Sequence, residues 1–292
     1  MERHEKNEGA MHPSPPAVKR FSLTKYYMDC VTSEGEVVLC YASELTAGSV
    51  RLRQSSVLVH SEEGGSLSRQ TFFRGALPVF RNGNWLWRCP ALGVRGSWSG
   101  EAFPAPPVNL YEPEEGRDVT WQCLLPRAEV RLSMGGRNET GVGYVECLTM
   151  SLEPWKLPVD SLHWGRFHGE EGEALTWIIW EGAHPLGLLL EGSGCSSSVP
   201  PAHASPDGSR ISFGEGLHRK VLECSCSKVL RTGDISRTAL RYLPSSVRRL
   251  LPQSILHLQE TKWAGPACLF CGNGVRPGFS IHEVVHFHPP CL

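Results

Sequence analysis

The sequence predicts an all-β protein made of two tandem antiparallel β-lobes related by an internal repeat. Three observations lead to this prediction. Short strand patterns dominate the chain, Gly- and Pro-rich stretches such as "RNGN", "GEEGE" and "SPDGS" separate them, and the two halves align at one constant offset. The single helix that the pattern supports is short, with Pro244 in its first turn and "SSVRRLL" after it.

The strand patterns are of two kinds. Apolar and polar residues alternate in "VTWQCLL", which places Val119, Trp121, Cys123 and Leu125 on one face, and in "RAEVRL", which does the same for Ala128, Val130 and Leu132. In contrast, "EVVLCYA", "ALTWIIW" and "PLGLLL" are continuous apolar runs, typical of strands buried on both faces. The segment from Cys195 to Ser209, "CSSSVPPAHASPDGS", indicates a long flexible loop.

The repeat appears when the sequence is shifted by 137 residues. The shift brings Tyr27 onto Trp164, Glu34-Gly35-Glu36 onto Glu171-Gly172-Glu173, Gly141 onto Gly278, and Glu146 onto Glu283. We therefore expect hairpin tips at Glu34-Gly35 and Glu171-Gly172. The predicted organisation is a disordered tail over residues 1–18, an N-terminal lobe over 19–157 and a C-terminal lobe over 158–292.

Composition excludes several classes of function. The formal net charge of −1 and the absence of a basic stripe argue against nucleic-acid binding. The eleven cysteines are scattered, and no apolar run follows the basic N-terminus, so we expect free thiols in a reducing cytoplasm. "CSC", "CLFC" and "HFHPPC" lack the paired spacing of a zinc site, so no metal is expected. The longest apolar run is too short for a transmembrane segment.

Glu146 is the main chemical candidate, because it lies within an otherwise apolar strand, "GVGYVECL". Alternation places Tyr144 on the same face as Glu146. If that face lines a barrel lumen, loss of water raises the pKa of the carboxyl group and allows it to act as a general acid. The alternatives are that Glu146 faces solvent or pairs with an arginine. Glu283 is expected to be structural, as a symmetry-related lock.

Four further residues are candidates for ligand binding. Trp121 is predicted on a strand next to that of Tyr144 and could line a pocket, although most of the tryptophans are expected to fill cores. "LHWGRF" adds His163, Trp164 and Arg166 at the start of the second lobe. Arg166 and His163 could orient Glu146, but pairing with Arg166 would lower the pKa of Glu146 and remove the acid role.

Several of these motifs together resemble the carotenoid 1,2-hydratase (hydroxyneurosporene synthase) family. They are "KYYMD", "WQCLLPRAEV", "GVGYVE", "HWGRF" and "GFSIHEVV". The resemblance implies two lipocalin-like lobes with an apolar pocket, in the superfamily that includes tocopherol cyclase-like proteins. It also implies that Tyr144 and Glu146 stand where the hydratases carry a Tyr-x-Asp proton donor. The chain departs from the family after Glu146 and has Val119 in place of an upstream histidine.

The resulting expectation is a cofactor-independent hydro-lyase or cyclase. Glu146 would protonate an alkene of a hydrophobic isoprenoid or polyene, Tyr144 would bond Glu146, Trp121 would flank the developing cation, and water addition or ring closure would follow. Peripheral contact with a membrane is compatible with such a ligand. Two alternatives stay open: a non-catalytic lipocalin-like carrier of a hydrophobic molecule, and a scaffold whose barrels are completely filled.

Overall fold

The structure is a computed structural model that describes residues 21–100, 105–192, 194–198, 202–216, 219–224, 227–235, 258–272 and 274–287. Within these residues nearly all regular structure is β-strand, arranged in two ten-stranded antiparallel sheets. The all-β prediction is therefore confirmed. Two 3-10 turns, Pro90–Leu92 and Pro154–Lys156, interrupt the strands. The disordered tail and the short helix after Pro244 were predicted for residues that lie outside the described part of the chain.

The N-terminal sheet holds the first ten strands. They are β1 (Phe21–Thr32), β2 (Val37–Ala47), β3 (Val50–Ser61), β4 (Gly65–Phe72), β5 (Val79–Arg81), β6 (Asn84–Cys89), β7 (Val94–Ser99), β8 (Val108–Glu114), β9 (Arg117–Met134) and β10 (Arg137–Met150). Their spatial order is β4-β3-β2-β1-β10-β9-β7-β6-β5, and β8 pairs with β9 beside this path. The first and last strands, β1 and β10, therefore lie side by side at the centre of the sheet.

The C-terminal sheet repeats this arrangement strand for strand. Its members are β11 (Val159–Gly169), β12 (Ala174–Gly182), β13 (Leu186–Glu191), β14 (Gly194–Ser198), β15 (Ala202–Ala204), β16 (Arg210–Phe213), β17 (Lys220–Glu223), β18 (Lys228–Asp234), β19 (Gln259–Cys271) and β20 (Gly274–His286). The order β14-β13-β12-β11-β20-β19-β17-β16-β15, with β18 against β19, is the first order shifted by ten strands.

Backbone pairing also follows the predicted offset. Tyr27 lies opposite Glu146 in the first sheet, and Trp164 lies opposite Glu283 in the second. Both predicted hairpin tips are turns. The amide of Gly35 donates to the carbonyl of Thr32 at 3.0 Å, and that of Gly172 donates to the carbonyl of Gly169 at 3.2 Å. Gly35 and Gly172 adopt φ values of 79° and 100°, a region that favours glycine. The two equivalent turns therefore share the same requirement for glycine.

Three apolar cores explain why the central strands are buried on both faces. One core lies between the two sheets and contains Leu39 and Ile178. A second lies inside the N-terminal lobe and takes up Val38 and Cys40, and a third lies inside the C-terminal lobe and includes Trp177. Neighbouring residues of β2 and β12 thus enter different cores, which confirms the prediction made from the continuous apolar runs.

Register shifts in β9 alter the face that its residues present. Glu146 lies opposite Cys123, whereas Val145 lies opposite Leu125, so Leu124 is an extra residue on β9. Cys123 enters the core between the sheets, but Leu125 enters the core of the N-terminal lobe. The prediction that Leu125 shares a face with Cys123 was therefore wrong. Ala128, Val130 and Leu132 do share a face, as predicted.

The long loop predicted from Cys195 to Ser209 is also corrected. Its beginning belongs to β14, and β15 pairs with β16 at its centre. β14 and β15 lie at opposite edges of the sheet. The cysteines whose side chains the structure describes are free thiols: Cys30, Cys40, Cys89, Cys123, Cys147, Cys224, Cys268 and Cys271. No cluster of three or more metal-ligating side chains occurs among the described residues. No helix in that same part of the chain is long and apolar enough to cross a membrane.

A buried ion pair joins the two lobes. Arg166 on β11 donates through Nε and Nη2 to the two carboxylate oxygens of Asp29 on β1, at 2.9 and 2.6 Å. The side chains are 1% and 0% exposed. The third guanidinium nitrogen contacts Nδ1 of His168 at 3.0 Å, and Nε2 of His168 donates to the carbonyl of Pro126 at 2.7 Å. Nε and Nη2 of Arg166 therefore bond directly across the boundary, and Nη1 contacts His168 of its own strand, which in turn bonds the N-terminal lobe.

Asp29 and Arg166 are separated by 137 residues, the offset of the repeat. Tyr27 and Trp164 are separated by the same offset, and their rings pack edge to face with centroids 4.8 Å apart. Contact between equivalent residues is expected where two similar units meet about a two-fold axis. The lobes are therefore related by a pseudo-two-fold axis that passes between β1 and β11.

We predict that Asp29→Ala lowers the free energy of unfolding by about 3–5 kcal/mol, because it leaves the Arg166 charge buried without a partner. Urea unfolding monitored by tryptophan fluorescence measures this loss. Glu44→Ala provides the control, since Glu44 pairs with Arg51 and Arg53, whose side chains are 62% and 45% exposed. Its loss should stay below about 1 kcal/mol. Equal losses in the two variants would contradict the bridging role of Asp29.

Candidate functional site

Glu146 lies on the face of β10 that is turned toward the C-terminal lobe. Tyr144, on the same face, belongs to the core between the sheets, whereas Val145 points into the core of the N-terminal lobe. The carboxyl group therefore does not face a barrel lumen, which was the premise of the sequence argument. The reason is that both faces of the central strands are buried, one inside the N-terminal lobe and the other against the C-terminal lobe. Alternation along β10 places Glu146 on the second of these faces. The candidate site is accordingly built by both lobes.

Three donors converge on one oxygen of Glu146. Its Oε2 atom accepts hydrogen bonds from Nε1 of Trp121 at 2.6 Å, from the Tyr144 hydroxyl at 2.9 Å, and from Nε1 of Trp164 at 3.0 Å. An indole nitrogen can only donate, so Oε2 must act as an acceptor in either protonation state. An acid proton on Glu146 would therefore reside on Oε1.

Glu146 is partly buried, and the water that it loses affects its protonation. Desolvation raises the pKa of Glu146 above its usual value, against the hydrogen bonds from Trp121 and Tyr144 and the positive charge of Lys25, which lower it. Desolvation likewise raises the pKa of the Tyr144 phenol well above its usual value, so this hydroxyl stays a donor. Glu146 makes no ion pair with any residue in the described ranges. The arrangement can hold a neutral carboxylic acid and can also stabilise the carboxylate that remains after proton loss.

The structure brings four of the six candidate residues together and separates the other two. Tyr144, Glu146 and Trp121 come from β9 and β10, and Trp164 reaches them from β11. Arg166 instead bonds Asp29, so it neither orients Glu146 nor lowers its pKa by direct pairing.

His163 lies on the opposite face of β11 from Trp164. Its Nε2 atom is 3.9 Å from Glu181, and its side chain is 3% exposed. Burial lowers the pKa of His163, with Glu181 opposing this effect. The imidazole is thus a neutral group within the C-terminal lobe, away from the Glu146 carboxyl. His163 and Trp164 are consecutive on β11, so their side chains point to opposite faces of the sheet.

A charged cluster that the sequence argument did not identify adjoins this site. Lys262 on β19, 1% exposed, forms an ion pair with Glu283 and lies 3.7 Å from Glu260. Nη2 of Arg231 donates to both oxygens of Glu260, at 2.7 and 2.6 Å. Burial by itself would lower the pKa of Lys262, but Glu283, Tyr41 and Glu260 raise it overall, so the lysine is a cation. Its signal in the sequence was "ETK", two charges on one face of an apolar strand.

Aromatic rings connect the charged cluster to Glu146. The ammonium of Lys262 lies 5.4 Å from the ring centroid of Tyr27, 5.6 Å from that of Tyr41 and 5.3 Å from that of Trp164. Trp164 therefore contacts a buried cation through its face and the Glu146 carboxyl through its N–H group. Glu283 was expected to be structural, and its ion pair with Lys262 is compatible with that expectation.

Comparisons with known proteins establish the fold. An AttH-like protein of Nitrosomonas europaea matches with a TM-score of 0.54 and 11% identity, over 94% of this chain and 97% of the other. Kievitone hydratase of Nectria haematococca matches with a TM-score of 0.50 and 11% identity, over 90% and 88%. CghA in complex with Sch210972 matches with a TM-score of 0.52 and 11% identity, over 91% and 89%. No family model matches the chain, and no curated protein matches its sequence.

We predict that the wild-type protein loses stability relative to Glu146→Gln as pH rises from 4.5 through the raised pKa of Glu146. The folded state keeps a proton in this range that the unfolded state releases, so the unfolding free energy falls with pH. Urea unfolding of both proteins from pH 4 to pH 8 measures the difference.

The control for this measurement is Glu44→Gln. Hydrogen bonds from Arg51 and Arg53 lower the pKa of Glu44, so the wild-type protein should gain stability relative to this variant as pH rises toward 4.5. If the Glu146 difference has the same sign as the Glu44 difference, Glu146 is held as an anion and the proposed acid state does not exist.

Proposed function

We propose that the protein is a hydratase- or cyclase-like enzyme that protonates an alkene of a hydrophobic isoprenoid or polyene. The observation that carries this proposal is the Glu146 carboxyl group, whose pKa is raised by burial and whose Oε2 atom accepts three hydrogen bonds. The shared fold with kievitone hydratase makes a hydration reaction a reasonable precedent. That likeness rests on the fold alone.

The first step transfers the proton from Oε1 of Glu146 to one alkene carbon and leaves a carbocation at the other. The donors on Oε2 stabilise the carboxylate that forms, because their hydrogen bonds strengthen as negative charge develops. The faces of Tyr27 and Trp164 attract positive charge, but the ammonium of Lys262 already lies against both of them. The three donors on Oε2 are therefore the groups that stabilise the charge formed by proton transfer.

The second step depends on the nucleophile. If water adds to the carbocation, the resulting oxonium returns a proton to Glu146 and restores the acid. If a second double bond attacks, a ring closes, and loss of a proton from the new cation to Glu146 likewise restores it. Both routes balance without a cofactor, because protons and electron pairs are only redistributed within the substrate, water and Glu146.

A non-catalytic carrier of a hydrophobic molecule is the second candidate. The observation that favours it is that Oε2 of Glu146 already accepts hydrogen bonds from Trp121, Tyr144 and Trp164, which hold the carboxyl group in place among apolar core residues. In this case Glu146 would bind a polar group of the ligand and transfer no proton. Both candidate functions predict that a hydrophobic ligand binds, but only the enzyme predicts that the ligand is converted to a product.

We predict that Glu146→Gln lowers the turnover of an acyclic polyene substrate by at least about 100-fold and keeps ligand affinity. The amide is similar in shape and still accepts at one oxygen, but it has no acidic proton. Tyr144→Phe should lose less activity, since it removes one of three donors. Product formation by mass spectrometry, with Glu44→Gln as the control, measures both. Turnover retained in Glu146→Gln would remove Glu146 as the proton donor.

A further inference from the structure

Tyr41 on β2 is surrounded by cations. The ammonium groups of Lys25 and Lys262 lie 5.4 and 5.6 Å from its ring centroid, and the guanidinium carbon of Arg231 lies 5.8 Å from it. Three positive charges about one phenol are unusual in a core, because like charges repel more strongly where water is excluded. The anions that balance them therefore decide what the region can bind.

Two of the three cations have protein partners. Arg231 pairs with Glu260, and Lys262 pairs with Glu283. Lys25 is half-buried and forms no ion pair with a residue in the described ranges of the chain. With Glu146 in its acid form, the cluster of Lys25, Arg231, Lys262, Glu260 and Glu283 carries one excess positive charge. Lys25 is the cation of this cluster that makes no ion pair with a described carboxylate.

The hydroxyl group of Tyr41 has no partner among the described residues. Tyr41 is 8% exposed, and its hydroxyl oxygen makes no hydrogen bond to that part of the chain. Burial raises the pKa of this phenol to about 12, so it is a hydrogen-bond donor at neutral pH. A buried donor without an acceptor costs about 1–3 kcal/mol, and such groups are rare in folded proteins. An acceptor supplied by a ligand would remove this cost.

Lys25 and Tyr41 lie beside the Glu146 site. On β1, Lys25 and Tyr27 share a face, and Tyr27 is opposite both Tyr41 and Glu146 in the sheet. The excess cation and the free donor therefore flank the residue that is opposite the candidate acid. A ligand that reaches both would place its adjoining carbons against Glu146.

We propose that the site between the sheets binds an unsaturated apolar ligand that ends in a carboxylate, held by Lys25 and the Tyr41 hydroxyl. This inference rests on the proposed function, because it names the class of molecule that would lie against Glu146. The carboxylate would balance the excess charge of Lys25 and accept the hydrogen bond that Tyr41 lacks.

Binding of such a ligand would also favour the acid form of Glu146. The charge of Lys25 lowers the pKa of Glu146 in the free protein. A ligand carboxylate on Lys25 neutralises that charge and adds a negative charge nearby, and both changes favour the protonated carboxyl group. An acidic substrate would therefore prepare its own proton donor, which a neutral alcohol of equal length would not do.

The test compares all-trans retinoic acid with all-trans retinol, two polyenes that differ at the polar end. Quenching of tryptophan fluorescence measures both affinities in the wild-type protein, in Glu146→Gln, and in Lys25→Met, Lys25→Arg and Tyr41→Phe. The acid should bind at least about 10-fold more tightly than the alcohol, as expected for a charge-assisted hydrogen bond. Lys25→Met should weaken acid binding and leave alcohol binding unchanged, whereas Tyr41→Phe should weaken acid binding more than alcohol binding.

Two variants separate a binding role from a structural one. Lys25→Arg should keep the preference for the acid, and Lys156→Met, which removes a lysine that is 45% exposed, should not change it. Tyr41→Phe should be at least as stable as the wild-type protein, because it deletes a donor that has no partner. Equal binding of acid and alcohol in the wild-type protein would overturn the inference, as would no binding of either.

The result also separates this inference from the proposed function. The acid preference should persist in Glu146→Gln, whether or not the protein catalyses a reaction. A preference that depends on Lys25, together with unchanged polyene turnover in Glu146→Gln, would uphold the ligand class and reject the acid role. Loss of turnover in Glu146→Gln, together with equal binding of acid and alcohol, would uphold the acid role and reject the ligand class.

Discussion

The burial of both faces of the central strands is the constraint on which the rest of the structure depends. Strands β1, β2, β11 and β12 each direct alternate residues into a lobe and into the core between the lobes. A polar residue on the outer parity is therefore taken out of water by the opposite lobe. Asp29, Arg166 and Lys262 lie in this position and are fully buried, and each needs a partner because an isolated buried charge is strongly unfavourable. Glu146 has the same orientation but is only partly buried.

The pseudo-two-fold axis determines which partners meet. Residues near the axis contact their own equivalents, as Tyr27 contacts Trp164 and Asp29 pairs with Arg166. Two identical lobes would place like charges together there. Opposite charges at equivalent positions remove this repulsion. They also make the two sides of the interface different, so that one lobe cannot take the place of the other.

The same divergence distinguishes the two equivalent glutamates. Glu146 is bonded by two indoles and a phenol, whereas Glu283 is paired with the ammonium of Lys262. Because the direct partners of Glu146 are neutral, their hydrogen bonds lower its pKa by less than desolvation raises it. Glu283, by contrast, has a cation as its immediate partner. One backbone position thus supports a candidate acid in one lobe and an ion pair in the other.

The sequence alone determined the all-β class, the repeat, both hairpin tips and the shared face of Tyr144 and Glu146, because period, turn residues and strand parity are local properties. It also marked the positions of Asp29 and Arg166 as equivalent. The tertiary structure decided which face of the sheet meets the other lobe, that Arg166 pairs with Asp29, and that Lys262 lies beside Trp164. These outcomes depend on the register shifts in β9 and on contacts between strands far apart in the chain, which no local pattern encodes.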